Sequence, residues 1–210
     1  MDKGVFIAFE GLDGSGKTTQ MNALRDKLLK RKIKCRDERE PSDGIIGLIA
    51  RGAIKKKISI SAHAMALLFA ADRYEHVIND IKPYIDKGVH VLTDRFLFSN
   101  FAYQGLTSSF EDLYNYNKET IELLMPDLTI FVDVDPRVSL NRIGVSRVGK
   151  ELYDRKGEGV RSNFLVAFEK MKEIQGTNNI LVVNGNQPEE VVTDEIWKAV
   201  EPLFLGKKAR

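Results

Sequence analysis

Gly11-Leu12-Asp13-Gly14-Ser15-Gly16-Lys17-Thr18 sets two glycines five residues apart and follows the second with a lysine and a hydroxyl side chain. This is the P-loop pattern, and it comes directly after the apolar run 5–9. Glycines let the backbone bend until several N–H groups converge on a phosphate, while the helix beginning near Lys17 points its positive end at the same place. Lys17 is expected to bridge the β- and γ-phosphates of a bound nucleotide, and Thr18 to hold magnesium through its hydroxyl. The ordinary alternative is a glycine-rich strand-to-helix turn carrying a chance Lys-Thr. The strand before and the amphipathic helix after argue against it.

Further chemistry-bearing residues fall at strand ends or on helices facing them. Arg39, in Arg39-Glu40-Pro41, follows the second apolar run, and Arg95, in Asp94-Arg95, follows the third. Either alone reads as a surface ion pair, but two planar, permanently charged forks beside a P-loop suit a second phosphate group. Phe69 and Arg73 are four apart on one helix, hence on one face. An aromatic plane beside a guanidinium can hold a base, against the plainer reading of a core ring and a helix-surface charge. Asn100, Tyr103 and Gln104 share a helix face, and amides can read a base edge; by themselves they read equally as generic polarity and packing.

The elements that must position these residues follow from periodicity. Short β-rich runs at 5–9, 33–37, 89–93, 128–134 and 180–183 alternate with helical stretches, which predicts a parallel sheet with helices on both faces. Sites in such folds gather at the C-terminal strand ends. Ser61 is expected to cap the long helix after it, Pro83 to interrupt that helix, and Asp135-Pro136 and Pro188-Glu189-Glu190 to open helices. The glycine-bearing, basic segment 144–159, with Arg147, Lys150, Arg155 and Lys156, is expected to be a mobile flap between helices.

The 210 residues suffice for a single α/β domain, and a formal net charge of +2 is too small to announce a nucleic-acid binder. Short basic clusters such as 30–34 and 55–57 read as solvated surface. Cys35 is the single cysteine, which excludes an intramolecular disulfide and suits a reducing cytoplasm. His63, His76 and His90 lack ligand spacing and read as surface or packing residues rather than metal ligands. The run 64–71 is too short to cross a bilayer, so no membrane partner is expected.

Taken in order, residues 9–19, Arg39-Glu40-Pro41, Leu68-Phe69-Ala70-Ala71-Asp72-Arg73, Asp94-Arg95 with Ser99 and Ala102-Tyr103-Gln104-Gly105, and Pro126-Asp127-Leu128-Thr129 resemble the thymidylate kinase family. The P-loop is shared by many families, whereas the ordered arginine, aromatic and Ala-Tyr-Gln motifs are specific. The resemblance implies a P-loop NTPase α/β fold with a five-stranded parallel sheet of order 2-3-1-4-5, a basic lid near 144–159 and a homodimer. It further implies ATP and Mg2+ as cofactors and transfer of the γ-phosphoryl group to dTMP. Carried over by position, Gly11 to Thr18 cradle the donor phosphates and Asp13 receives the sugar 3′-hydroxyl. Arg39 and Arg95 clamp the acceptor phosphate, Phe69 stacks on thymine and Arg73 bonds a base carbonyl. Asn100 or Gln104 lies near the remaining edge, Tyr103 crowds the 2′ position and Asp94 helps to hold magnesium. Gly14 stands where some relatives carry a basic residue, so the resemblance implies that Arg147 and Arg155 supply that charge from the lid. Two rivals remain open on the residues alone: a kinase for another nucleotide or a nucleoside, and a nucleotide-dependent switch. The absence of an Asn-Lys-x-Asp run weakens a GTP-switch reading. No role for Glu10 follows from the sequence.

Overall fold

The computed structural model describes residues 3–144, 150–176 and 179–205, with the side chains of 150–156 and 205 left aside. β1 (Phe6–Glu10) leads into α1 (Lys17–Lys30), then β2 (Cys35–Arg39), α2 (Ile45–Ile54) and α3 (Ala62–His76). A π-helical turn over Val77–Ile81 joins α3 to α4 (Lys82–Asp86), and β3 (His90–Asp94), α5 (Leu97–Gln104) and α6 (Phe110–Leu123) follow. β4 (Leu128–Asp133), α7 (Pro136–Ile143), α8 (Lys150–Gln175), β5 (Ile180–Asn184) and α9 (Glu189–Leu205) complete the chain.

The five strands are parallel in the order β2-β3-β1-β4-β5, as the resemblance implied. β1 is central and every one of its residues is buried, apolar from Phe6 to Phe9 because the strand is covered on both faces, and ending in the buried Glu10. Alternate side chains serve opposite cores. Phe6 and Ala8 join Phe96, Phe101, Phe131, Phe164 and Phe168 beneath α3, α5, α6 and α8. Ile7 and Phe9 join Leu24, Leu28, Ile130, Ile196 and Trp197 beneath α1 and α9.

Helix punctuation matches the reading of the sequence at three places. Ser61 Oγ accepts from Ala64 N at 3.2 Å, and Asp135 Oδ1 accepts from Arg137 N at 2.8 Å ahead of Pro136. Pro83 has no N–H to continue the helical ladder, and the turn before it widens into the π-helical segment.

Two expectations need correction. β1, β2 and β3 begin one or two residues later than their apolar runs, whereas β4 and β5 begin where expected; Ile33 N, for example, closes the end of α1 by donating to Leu28 O at 3.0 Å. Residues 150–159 lie in the backbone of α8 rather than between helices. Glycines read as flap markers instead permit close packing: a Cβ at Gly157 would stand 3.0 Å from Pro136 Cβ, and one at Gly159 3.0 Å from Leu106 Cδ2. Among the described residues no helix is long and apolar enough to cross a membrane.

Candidate active site

The register of the sheet aligns a row of polar residues along its C-terminal edge. Arg39 pairs across from Asp94, Asp94 across from Phe9, and Asp133 across from Asn184. Just past β1, the loop from Gly11 to Gly16 turns into α1, whose first residue is Lys17. Gly16 caps the helix with φ 96° and no side-chain hydrogen bond, and no acid occupies the first turn. Orphan N–H groups and the positive helix end therefore remain for an anion. Ser15 Oγ is buried without a hydrogen-bond partner among the described residues.

Lys17 is pinned over this loop, its Nζ 3.3 Å from Leu12 O, 3.9 Å from Asp13 Oδ1 and 4.0 Å from Asp94 Oδ1. Burial, reinforced by the nearby Arg95 charge, pulls its ammonium down to about 8 against Asp94 and Asp13. Thr18 Oγ1 donates to Asp94 Oδ2 in a short contact.

Gly14, at φ 80°, cannot accept a side chain: a Cβ there would lie 2.5 Å from Ser139 O and 2.7 Å from Ile143 Cγ1. A basic residue in the P-loop, as some relatives carry, is therefore excluded by α7. Gly14→Arg is expected to lose about 2 kcal/mol or more of stability and at least about tenfold in activity. Denaturant unfolding beside a steady-state assay checks this, and a stable, active variant would contradict it.

Arg95 joins the two walls of the site. Its backbone is at φ 75°, and Nη1 donates to Gly11 O at 3.1 Å and Ser99 Oγ at 2.9 Å. Nη2 donates to Asp13 Oδ1 at 2.6 Å and Tyr103 OH at 3.2 Å. Burial disfavours the charge, but Tyr103, Asp13, Glu10 and Asp94 hold the guanidinium charged. Burial also raises the Tyr103 phenol to about 12, so it is neutral at ordinary pH.

Glu10 acquires a role that the sequence withheld. From the end of β1 its Oε1 accepts from Phe96 N and Ser99 N, both at 3.0 Å, and its Oε2 accepts from the Ser99 hydroxyl at 2.5 Å. It caps α5, whose N-cap residue supplies no side-chain bond of its own. Burial raises its carboxyl despite those hydrogen bonds.

On α3, Phe69 is half-buried, whereas Arg73 is 1% exposed rather than on the surface. Its guanidinium meets Glu40 Oε2 at 2.7 Å, Asn117 Oδ1 at 2.7 Å, Phe96 O at 3.1 Å and Asn100 Oδ1 at 3.3 Å. Its Nε has no hydrogen-bond partner among the described residues. Asn100 Nδ2 donates on to Gln104 Oε1 at 3.0 Å. Arg39, by contrast, is exposed at the rim and donates to Asp43 Oδ1 at 2.8 Å. Arg147 lies outside the described residues, and Arg155 is placed only by its backbone, within α8.

Several residues were missed by sequence reasoning. Asn117 braces Asn100 at 2.9 Å, but an amide in a polar helix carries no distinguishing signal. Arg142 donates to Ser15 O at 3.3 Å and Gly185 O at 3.0 Å, beside a cleft of about 270 Å³ lined by Ser15, Gly16, Thr19, Gln20 and Gln187. Arg161 on α8 grips Asp133 with two bonds of 2.6 Å, fixing that helix to the sheet edge.

His76, read as packing, is buried among acids: Nε2 lies 3.1 Å from Glu38 Oε2 and Nδ1 3.6 Å from Glu40 Oε1. Its position three residues after Arg73 on the same helix face was the available signal. Burial pushes the imidazole down, but Glu38 and Glu40 overcome this and raise it from 6.5 to about 10. The folded value exceeds the unfolded one, so the stabilisation is complete below pH 6.5 and fades as pH rises to about 10. Asp72 and Arg73 from α3, Arg36 beside Glu38, and Asp43 at the rim are the other charges near it. The melting-point gap between wild type and His76→Gln, worth about 5 kcal/mol at most, is expected to be widest just below pH 6.5, where the carboxylate partners are still ionised, and to narrow towards pH 10. Thermal unfolding across pH checks this; a constant gap would contradict it.

Comparison with known proteins agrees with the arrangement. A family model described as Thymidylate kinase matches residues 9–196. The chain is 34% identical over 206 residues to a thymidylate kinase of Clostridium novyi (strain NT), covering 93% of this chain and 98% of that one. It is 32% identical over 213 residues to one of Bacillus mycoides (strain KBAB4), covering 97% and 100%. A Bifidobacterium longum subsp. infantis thymidylate kinase is 33% identical over 205 residues, covering 94% and 84%. With nearly its whole length matched by the family model and by these relatives, the chain belongs to the thymidylate kinase family.

Proposed function

We infer that the chain is a dTMP kinase, which transfers the γ-phosphoryl group of ATP to dTMP and yields ADP and dTDP. The observation that carries the reading is Arg95, whose guanidinium ties Gly11 and Asp13 of the phosphate cradle to Ser99 and Tyr103 of α5. A cation shared by donor and acceptor walls is what bringing two anionic groups together requires.

An acceptor phosphate oxygen is already a nucleophile, so in-line transfer needs positioning and positive charge rather than a general base. Lys17 bridges the donor's β- and γ-phosphates from its place above Leu12. Arg39 and Arg95 clamp the acceptor phosphate; the exposed Arg39–Asp43 pair costs only about 0.2–1 kcal/mol to release. Phe69 stacks on thymine, Arg73 bonds a base carbonyl, and Asn100 and Gln104 stand at the next edge. Asp13 receives the 3′-hydroxyl. The cleft beside Arg142 and Gln187 is open to the donor's base. Arg147, ahead of α8 in the sequence, and Arg155, within α8, add charge.

Magnesium fits at Thr18 and Asp94: both offer hard oxygen donors, and among the described residues no cluster of three acidic, histidine or cysteine side chains exists to hold a metal otherwise. When bound, it neutralises charge on the phosphate oxygens.

A homodimer is supported by apolar side chains left in solvent on neighbouring helices, Ile45, Leu48 and Ile49 on α2 and Leu67 on α3. A cytoplasmic enzyme is consistent with the single thiol.

A panel of dTMP, dUMP, CMP, AMP and thymidine with coupled ADP detection and product identification tests the function. The highest kcat/KM is expected with dTMP. dUMP, lacking one methyl that is worth about 1–3 kcal/mol, is expected to be slow but detectable. Preference for CMP or thymidine, or ADP release without a phosphorylated acceptor, would overturn the assignment. Tyr103→Phe, which loses one bond to Arg95 but keeps the ring, is expected to hold kcat within about tenfold and retain sugar discrimination. Paired assays with ribo- and deoxyribonucleotides check it; a gain of ribonucleotide activity would assign discrimination to the hydroxyl instead.

A further inference from the structure

His76 is buried beside the acceptor wall, and no step of phosphoryl transfer uses it. Its partners come from the end of β2, where Glu38 and Glu40 alternate with Arg39 and therefore point away from it. Glu40 is held at the strand end by its N–H, which donates to Asp94 O at 3.0 Å. One carboxylate oxygen of Glu40 meets Arg73 Nη2 at 2.7 Å; the other, Oε1, has no hydrogen-bond partner among the described residues and faces His76 Nδ1 at 3.6 Å. We propose that His76 is a positioning residue for acceptor-base recognition, anchoring Glu40 so that Glu40 fixes the Arg73 guanidinium. The proposal rests on the reading of Arg73 as a base contact and extends it by one layer.

Charge balance gives the reason. Four acids, Glu38, Glu40, Asp43 and Asp72, stand with Arg36, Arg73 and His76, and Asp43 is already occupied at the rim by Arg39 at 2.8 Å and Arg51 at 3.2 Å. Asp72 is occupied with Ser42, accepting from its N–H at 2.8 Å and its hydroxyl at 2.5 Å, and Arg36 serves Glu38 from the exposed side. The imidazole is thus the cation shared between Glu38 and Glu40, and its affinity for protons, raised by both, fits that place. Without it, Glu40 is left with a bare oxygen that draws Arg73 away from Asn100 and Asn117.

Two amides separate the contacts, because an asparagine nitrogen takes the place of Nδ1 and a glutamine nitrogen that of Nε2. His76→Gln, which keeps Glu38 and releases Glu40, is expected to raise KM for dTMP about tenfold, with kcat within about twofold and KM for ATP unchanged. His76→Asn, which keeps Glu40, is expected to hold KM for dTMP within about threefold of wild type. In the wild-type protein the His76 imidazole NMR signal is expected to move on addition of dTMP and not of ADP; this readout stands even where a variant does not fold. Equal behaviour of the two variants, a parallel change in kcat and both KM values, or an unmoved imidazole signal would overturn the proposal. Arg73→Gln distinguishes the layers: if it raises KM for dTMP while His76→Gln does not, the proposal alone fails. If Arg73→Gln leaves that KM unchanged, the acceptor reading itself fails.

Discussion

Replacing Arg95 by alanine is expected to lower kcat by about three orders of magnitude and to raise KM for dTMP as well. The size follows from where the guanidinium sits. It contacts the P-loop carbonyl of Gly11, the Asp13 carboxylate, the Ser99 hydroxyl and the Tyr103 phenol within 3.2 Å, and so puts a fixed positive charge between both walls. Water cannot replace a fixed cation there, because filling the gap with dipoles costs reorganisation at each turnover. Alanine at φ 75° is no more strained than arginine, so the backbone turn survives. Glu10 still caps α5 through Phe96 N and Ser99 N, so the fold survives as well. Arg95→Lys is expected to recover only part of the loss, since a single ammonium cannot reproduce a fork with four acceptors. Steady-state kinetics at saturating ATP and dTMP measure this. An unchanged kcat would remove Arg95 from the transferring group and leave it a ground-state clamp.

The fold was legible because its strands are apolar on both faces and separated by helices of ordinary length. That signal fails at the strand ends that matter most. The apolar runs stop at Phe9, Asp37 and Thr93, yet the ladders continue through Glu10, Arg39 and Asp94. These polar residues extend the strands because backbone pairing does not depend on side-chain character, and their polarity is what equips the edge. β2, Cys-Arg-Asp-Glu-Arg, is legible mainly through the residues that flank it, since an edge strand need not be apolar.

The candidate site was legible where spacing along one helix or loop carried it, as for Gly11 to Thr18, Phe69 with Arg73, and Asn100 with Gln104. It was not legible where the chemistry depends on segments distant in sequence. Glu10 and Ser99 are 89 residues apart, and Arg161 and Asp133 are 28 apart. The burial of Arg73 could not be read either, because nothing local announces that Glu40 and Asn117 will close over it. The glycines of segment 144–159 misled for a physical reason: absence of a side chain permits flexibility and close packing alike, and at Gly157 and Gly159 the structure uses the second.

Lys17→Ala is expected to lower kcat/KM for ATP by about three orders of magnitude while leaving the dissociation constant of dTMP within about threefold. At the edge of a protein, a unit charge about 4 Å from a phosphate oxygen contributes roughly 4 kcal/mol, which is close to three powers of ten. The contacts of Lys17 with Leu12 and Asp94 are on the donor side, and its one link to the acceptor side is a loose 3.9 Å ion pair with the half-exposed Asp13, so acceptor binding depends on it only weakly. Lys17→Arg is not a conservative control, because the ammonium is buried under the loop and a planar fork is too broad for the same three oxygens. The two cations also oppose one another, since Arg95 helps to pull Lys17 down to about 8. Removing Arg95 therefore leaves Lys17 more firmly protonated, a partial compensation that the double variant Lys17→Ala with Arg95→Ala lacks, so the double variant is expected to lose more than the product of the single losses. Calorimetric binding of dTMP beside steady-state kinetics decides the matter. A loss of dTMP affinity comparable to the loss for ATP would mean that Lys17 holds the whole site together rather than the donor phosphates.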